Sequence, residues 1–198
     1  EVRLGFSGQV LVARHGVALV DGAFGALGER AVGASDHFLI ASVAKQFTSA
    51  LLLRMQDRGE LDIGDPITRF LPDVPPDKRR ITIAQLLSHT SGLGQGYESE
   101  RARDWQQAAR TILALPLAAA PGTLFQYSNE NYQLAVALVE SITHRPYADV
   151  VRQELLLPVG LRDTGQISGP ADIARLAPTA DPLPPRLREF SWGGFGWF

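Results

Sequence analysis

A chain of 198 residues, 45% hydrophobic and 20% charged, is long enough to bury a core of its own and has the make-up of an ordinary globular protein. Its formal net charge of -2 gives no electrostatic case for nucleic acid or for an anionic membrane surface. The absence of cysteine excludes disulfides, thiolate nucleophiles and zinc–thiolate sites, and no apolar run is long enough to span a bilayer.

The first element is a hairpin over residues 8–24. Two β-rich runs, Gln9 to Arg14 and Val17 to Val20, flank the two-residue turn His15-Gly16. Gly22, Gly25 and Gly28 mark its exit. A helix follows from Ser42 to Arg58, with Gly59 as its C-terminal cap. Val43, Ala44, Phe47, Ala50, Leu51, Leu52, Leu53 and Met55 spread round most of its circumference, which predicts burial in the domain centre. Ser42, Lys45 and Ser49 fall on one narrow polar stripe. The only basic run, Lys78-Arg79-Arg80, follows Pro75-Pro76-Asp77 and reads as a solvated loop.

Thr82 and Gln85 make a capping-box pattern that opens a short helix through Leu87. Residues 101–115 are helical by period, with Trp105, Ala108, Ile112 and Leu113 on the apolar face. Pro116 and Pro121-Gly122 break the chain. Asn129 then caps a helix to about Thr143, and another covers roughly 147–157. Residues 163–191 read as irregular. The closing stretch, Trp192-Gly193-Gly194-Phe195-Gly196-Trp197-Phe198, exposes apolar surface with nothing to cover it and reads as an interrupted chain. Strands first and helices after give a mixed α/β chain of the α+β type. It forms one domain over 1–198: hairpin and entry in 1–40, a helical lobe in 41–160 and an irregular segment in 161–198.

The chemistry concentrates at Ser42-Val43-Ala44-Lys45. The chain holds only two lysines, Lys45 and Lys78; every other basic side chain except the histidines is arginine. An arginine keeps its proton at ordinary pH, whereas a desolvated lysine can give it up. A serine with a potential amine base one helical turn away is the minimum kit for acyl transfer. A bare Ser-x-x-Lys turns up about once by chance in a chain of this length, and its plain reading is an N-cap serine followed by a surface lysine.

Three features strengthen the chemical reading. The serine opens a nearly all-apolar helix, so its neighbours should be buried. Backbone N–H groups at such a helix start can hold a developing oxyanion. Tyr127-Ser128-Asn129 lies downstream, ahead of another helix: a tyrosine oxygen can shuttle a proton, and an asparagine amide can hold both a lysine and a carbonyl. The plain alternative for Asn129 is a simple N-cap. No G-x-S-x-G elbow is present. His15, His37, His89 and His144 are too scattered for a metal site, and the neighbours Ser35-Asp36-His37 cannot readily take up triad geometry.

Four ordered motifs together resemble a known family. They are Ser42-Val43-Ala44-Lys45-Gln46-Phe47-Thr48, Gly59-Glu60-Leu61-Asp62-Ile63-Gly64-Asp65-Pro66, Leu86-Leu87-Ser88-His89-Thr90-Ser91-Gly92-Leu93 and Tyr127-Ser128-Asn129. In order and spacing they look like the serine β-lactamase and penicillin-binding family, in its class C and esterase-like branch, where Tyr-x-Asn replaces Ser-Asp-Asn. The resemblance runs over nearly the whole chain, from Phe6-Ser7-Gly8 onward. It implies an antiparallel sheet flanked by helices, with a helical lobe beside it. It further implies catalytic roles for Ser42 as nucleophile, Lys45 as an aid to its deprotonation and Tyr127 as proton relay, with Asn129 orienting Lys45 and the substrate.

The implied substrate is a small molecule or peptide carrying an amide or ester: a β-lactam, a D-amino-acid peptide or a simple ester. No cofactor, metal or nucleic acid is implied. The family's third motif, Lys-Thr-Gly or His-x-Gly on a late strand, does not occur after Tyr127. The reading is therefore the front portion of the fold, with its C-terminal sheet strands missing and the sheet completed by another segment or a second chain. A non-catalytic binding or sensing domain is the alternative, and a partner-binding module using the aromatic tail is the weaker third. Relatives occur outside the inner membrane and in the cytoplasm, and a periplasmic or secreted location is slightly favoured.

Overall fold

A computed structural model of the chain describes residues 5–27, 29–96, 98–167, 176 and 197. Strand β1 (Gly8–Arg14) pairs antiparallel with β2 (Val17–Phe24), from Gly8 opposite Phe24 to Arg14 opposite Val17, with an irregularity between Val12 and Ala13. His15 (φ 51) and Gly16 (φ 76) both sit at positive φ, as a tight two-residue hairpin turn of the I′ kind requires. Gly25, just beyond β2, leads into a second, smaller hairpin, β3 (Ala26–Leu27) with β4 (Arg30–Ala31), whereas Gly22 lies within β2 and Gly28 outside the described residues. Gly25 enters it at φ 77, and a Cβ there would meet Phe6 O at 2.1 Å, so no other residue fits without backbone movement.

Both faces of the long hairpin are open. Leu11 is 67% exposed and Leu19 63%, and Val12, Val17, Val20 and Phe24 are exposed as well. Successive strand side chains point to opposite faces, so apolar groups stand bare on each side.

A 3-10 turn, Ala41–Ala44, runs directly into helix α1 (Lys45–Asp57). Gly59 ends it at φ 75. The helix is not buried all round as its composition suggests. Thr48, Leu51, Leu52 and Met55 face the core, while Val43 is 58% exposed and Leu53 is exposed too. Val43, Gln46, Leu53 and Asp57 share the outward side at near-helical spacing, and all four are exposed. The chain's central helix is instead α4 (Asn129–Thr143). Its residues Leu134 to Val139 are fully buried, and it packs against α1, α2 (Ile83–Leu87), α3 (Trp105–Ala114) and α5 (Tyr147–Val151).

Local signals govern the helix starts. In α2 the capping box closes as expected: Gln85 N donates to Thr82 Oγ1 (3.2 Å) and Thr82 N donates to Gln85 Oε1 (3.1 Å). Helix α3 begins at Trp105 rather than 101, because the Asp104 carboxylate accepts from Gln107 N (2.7 Å) and caps it there. Ser128, not Asn129, is the N-cap of α4, and Asn129 is the first helical residue. Beyond α5 the chain widens into a π turn, Arg152–Leu156, and then tightens into a 3-10 turn, Leu157–Val159. Pro158 lacks the N–H that would continue the α pattern.

Two expectations fail on burial. Lys78 is not solvated: its stem is buried and its Nζ bonds Asp77 Oδ2 at 2.8 Å, whereas Arg79 and Arg80 are exposed. Nor is the aromatic tail bare throughout. Trp197 is 1% exposed and lies flat on Phe47, with ring centroids 5.1 Å apart and planes at 5°. Its carbonyl accepts from Ile40 N at 2.9 Å. Residues 192–196 and 198 of that stretch lie outside the described residues, as do 168–175 and 177–191 of the segment expected to be irregular. Among the described residues no helix is long and apolar enough to cross a membrane.

Candidate active site

The 3-10 turn that begins α1 sets Ser42 at its edge. Ala41, just before it, holds φ 44, a left-handed conformation rare for a residue with a Cβ and costing about 1–3 kcal/mol. One turn later Lys45 reaches back, and its Nζ donates to Ser42 Oγ at 3.3 Å. The spacing alone secures this meeting, since side chains three apart lie on one helix face.

Tyr127 and Asn129 arrive from the far side. Ser128 between them has extended backbone (φ -146, ψ 130). An extended residue sends its two neighbours to one side and its own side chain to the other. Ser128 accordingly turns away and donates to Gly94 O at 2.7 Å. Tyr127 Oη sits 2.6 Å from Ser42 Oγ, and Asn129 Oδ1 accepts from Lys45 Nζ at 2.9 Å. All four residues singled out from the sequence therefore converge on one spot. Lys45 Nζ also lies 5.0 Å from the Tyr127 ring centroid and 5.5 Å from that of Tyr132, within reach of an attractive cation–π contact.

Partial burial works to raise the pKa of the Tyr127 phenol. Hydrogen bonding to Lys45 and Ser42 and the Lys45 charge outweigh it, so the net shift is downward from the ordinary value of 10.0. The shift makes the phenolate more accessible, the form that can accept a proton from a neighbouring hydroxyl and return it.

Behind the site, the turn at residues 88–92 is stitched to the segment that carries Tyr127. Gly122 N donates to Thr90 O (2.7 Å), Ala118 N to Gly92 O (2.8 Å) and Gln126 N to His89 O (2.8 Å). Gly92 has φ 81, and a Cβ there would meet Ala119 O at 2.1 Å. Two residues that face the site were not singled out for it from the sequence. Tyr132 lies one helical turn beyond Asn129, a spacing that could have flagged it. Its hydroxyl donates to Leu87 O at 3.0 Å and also meets Ser49 Oγ at 2.9 Å. His89 belongs to a motif of the resemblance, but no local pattern tells that its ring packs on Tyr127 at 4.5 Å. Among the described residues no group of three His, Asp or Glu side chains converges to hold a metal ion.

Comparison with known proteins agrees with this architecture. The profile of the family described as Beta-lactamase matches residues 5–196. The chain is 35% identical to esterase EstB of Burkholderia gladioli over 205 residues, covering 90% of the chain and 52% of the esterase. Among solved structures, EstCE1, a hydrolase with promiscuous acyltransferase activity, is similar at a TM-score of 0.72 and 28% identity, covering 85% of the chain and 50% of that protein. A D-stereospecific amidohydrolase from Streptomyces sp. is similar at a TM-score of 0.61 and 32% identity, over 73% of the chain and 47% of its own. The chain thus spans about half the length of these relatives.

Proposed function

This chain belongs to the beta-lactamase family, and given that membership we propose that it carries the nucleophilic machinery of a serine hydrolase, forming an acyl-enzyme on Ser42 from an ester or amide. The observation that carries the reading is the convergence on Ser42 Oγ, with Tyr127 Oη at 2.6 Å and Lys45 Nζ at 3.3 Å. Ser42 Oγ attacks the carbonyl carbon while its proton passes to the Tyr127–Lys45 pair. The Ser42 backbone N–H, at the start of the 3-10 turn, helps hold the oxyanion, since the Val43 N–H is already bonded to Ile40 O. As the bond to the leaving group breaks, Tyr127 Oη delivers the proton to it. Water then attacks the ester on Ser42, and its proton moves to Tyr127 and from there to Ser42 Oγ as the acid leaves. Asn129 holds Lys45 and presents its remaining amide hydrogens toward the substrate carbonyl.

A small ester is the leading substrate. Similarity to esterase EstB supports it, and so do the exposed apolar side chains next to the reacting groups in the chain: Val43 after Ser42, and Leu124 and Phe125 before Tyr127. The bare faces of the β1–β2 hairpin support a further segment or second chain that completes the sheet, since two strands alone are marginal in water. A periplasmic or secreted setting is the favoured location. A second reading is a binding or sensing domain that keeps the pocket and is acylated without turning over. Steady-state assays with a nitrophenyl ester and a chromogenic cephalosporin separate the two. Repeated turnover of the ester supports the hydrolase; a single stoichiometric burst supports the sensor; no reaction with either sinks both.

A further inference from the structure

His89 touches the segment around Tyr127 at three points. Its carbonyl accepts from Gln126 N at 2.8 Å, just before the tyrosine. Its Nδ1 accepts from Ser128 N at 3.2 Å, just after it. Its ring packs on the Tyr127 ring itself, with centroids 4.5 Å apart. The backbone N–H of Ser128 can only donate, so Nδ1 must be the bare acceptor, and the proton of the neutral ring sits on Nε2.

The imidazole is in turn held on its other sides. Asn131 Nδ2 lies 3.2 Å from the same Nδ1, while Asn131 Oδ1 accepts from the buried Ser91 hydroxyl. That second contact orients the amide so that its NH2 faces the ring. Tyr132 packs on the ring at 5.2 Å, and Phe125 meets it edge-on at 6.0 Å. Backbone conformation adds a constraint, because His89 sits at φ 57, where asparagine is the best-tolerated substitute that bears a side chain.

We propose that His89 is the positioning residue for Tyr127, its unprotonated Nδ1 and its carbonyl clamping the chain on either side so that the phenol oxygen rests against Ser42. The proposal rests on the reading that Tyr127 moves the serine proton. His89 acts through Tyr127 and its neighbours and makes no hydrogen bond to Ser42 among the described residues, so its loss should act on the rate of acylation rather than on binding. A misplacement of about 1 Å at such a relay costs on the order of a hundredfold in rate.

The test compares His89→Ala, His89→Asn and His89→Gln, each confirmed folded by circular dichroism, for the acylation rate of Ser42 with a nitrophenyl ester. Asparagine places its carbonyl oxygen where Nδ1 stands and tolerates the left-handed backbone. Glutamine carries its acceptor one bond too far. H89A and H89Q should acylate about a hundredfold more slowly with KM little changed, and H89N should recover most of the rate. If H89A acylates as fast as the parent protein, or H89N is as slow as H89A, the clamp is wrong while the hydrolase reading stands. Failure of the parent protein to acylate at Ser42 would remove that reading, and the clamp with it.

Discussion

Replacing Trp197 with alanine measures how firmly the far end of the chain is built into the core. The indole is 1% exposed, stacks on Phe47 at 5.1 Å and lies 6.1 Å from Tyr147. Truncating a buried aromatic of this size costs about 3–5 kcal/mol, a figure that already includes the lost stacking. For a chain of this length each kcal/mol lowers Tm by about 2–4 °C, so the expected drop is roughly 6–20 °C. Trp197→Phe keeps the ring against Phe47 and discards an indole N–H that meets no partner among the described residues. Its cost should be smaller, about 1–2 kcal/mol. Thermal melts followed by far-ultraviolet circular dichroism supply the numbers. The bond from Ile40 N to Trp197 O is between main-chain atoms, so both variants, kept below their melting temperatures, should still present Ser42 in its turn. A W197A protein that melts within about 2 °C of the parent would show that the indole is not seated there.

Further outcomes concern the site. Tyr127→Phe keeps the ring contact with His89 and removes only the oxygen beside Ser42. Acylation should slow about 10²–10⁴-fold, with stability changed by less than about 0.5 kcal/mol; a rate within threefold of the parent would take the proton relay away from Tyr127. Asn129→Ala strips Lys45 of its 2.9 Å acceptor, and loss of a hydrogen bond to a charged group, about 1.5–3 kcal/mol, should appear in acylation measured by stopped flow. An unchanged rate there would free Asn129 of its role. Stability should also depend on pH through His89. Desolvation, followed by the Lys45 charge, holds its imidazole below the ordinary value of 6.5. On acidification the unfolded chain protonates first, so the contribution is complete above 6.5 and is lost as pH falls through the lowered folded value. Melting temperatures taken from pH 7.5 downward should fall more for the parent than for H89N, and parallel curves would contradict the sign.

The parts of this molecule legible in its sequence are those decided within a few residues. His15-Gly16 specified its turn, Thr82 with Gln85 specified a capping box, and Ser42 with Lys45 shared a helix face by spacing alone. Tyr127 and Asn129 stood out because their chemistry matched that pair. What escaped depends on contacts between distant segments. Trp197 reads as exposed until Phe47, some 150 residues earlier, is found beneath it. The outward side of α1 and the turn leading into it carries Leu53 and Val43, so composition overstated the burial, while α4 hid its central place behind the polar residues at its start. Asn129 fits an N-cap by type, yet Ser128 takes that position and frees the asparagine to reach Lys45. His89 acts through backbone groups of residues 126 and 128, which no local pattern announces.

The central claim is that Ser42 is a nucleophile served by Lys45 and Tyr127. Intact-mass analysis and peptide mapping of the protein quenched during reaction with an activated ester test it most directly. The account predicts one acyl group per chain, on the peptide containing Ser42, and no adduct in Ser42→Ala. An adduct that persists in the S42A protein, or one that maps to another residue, would contradict it.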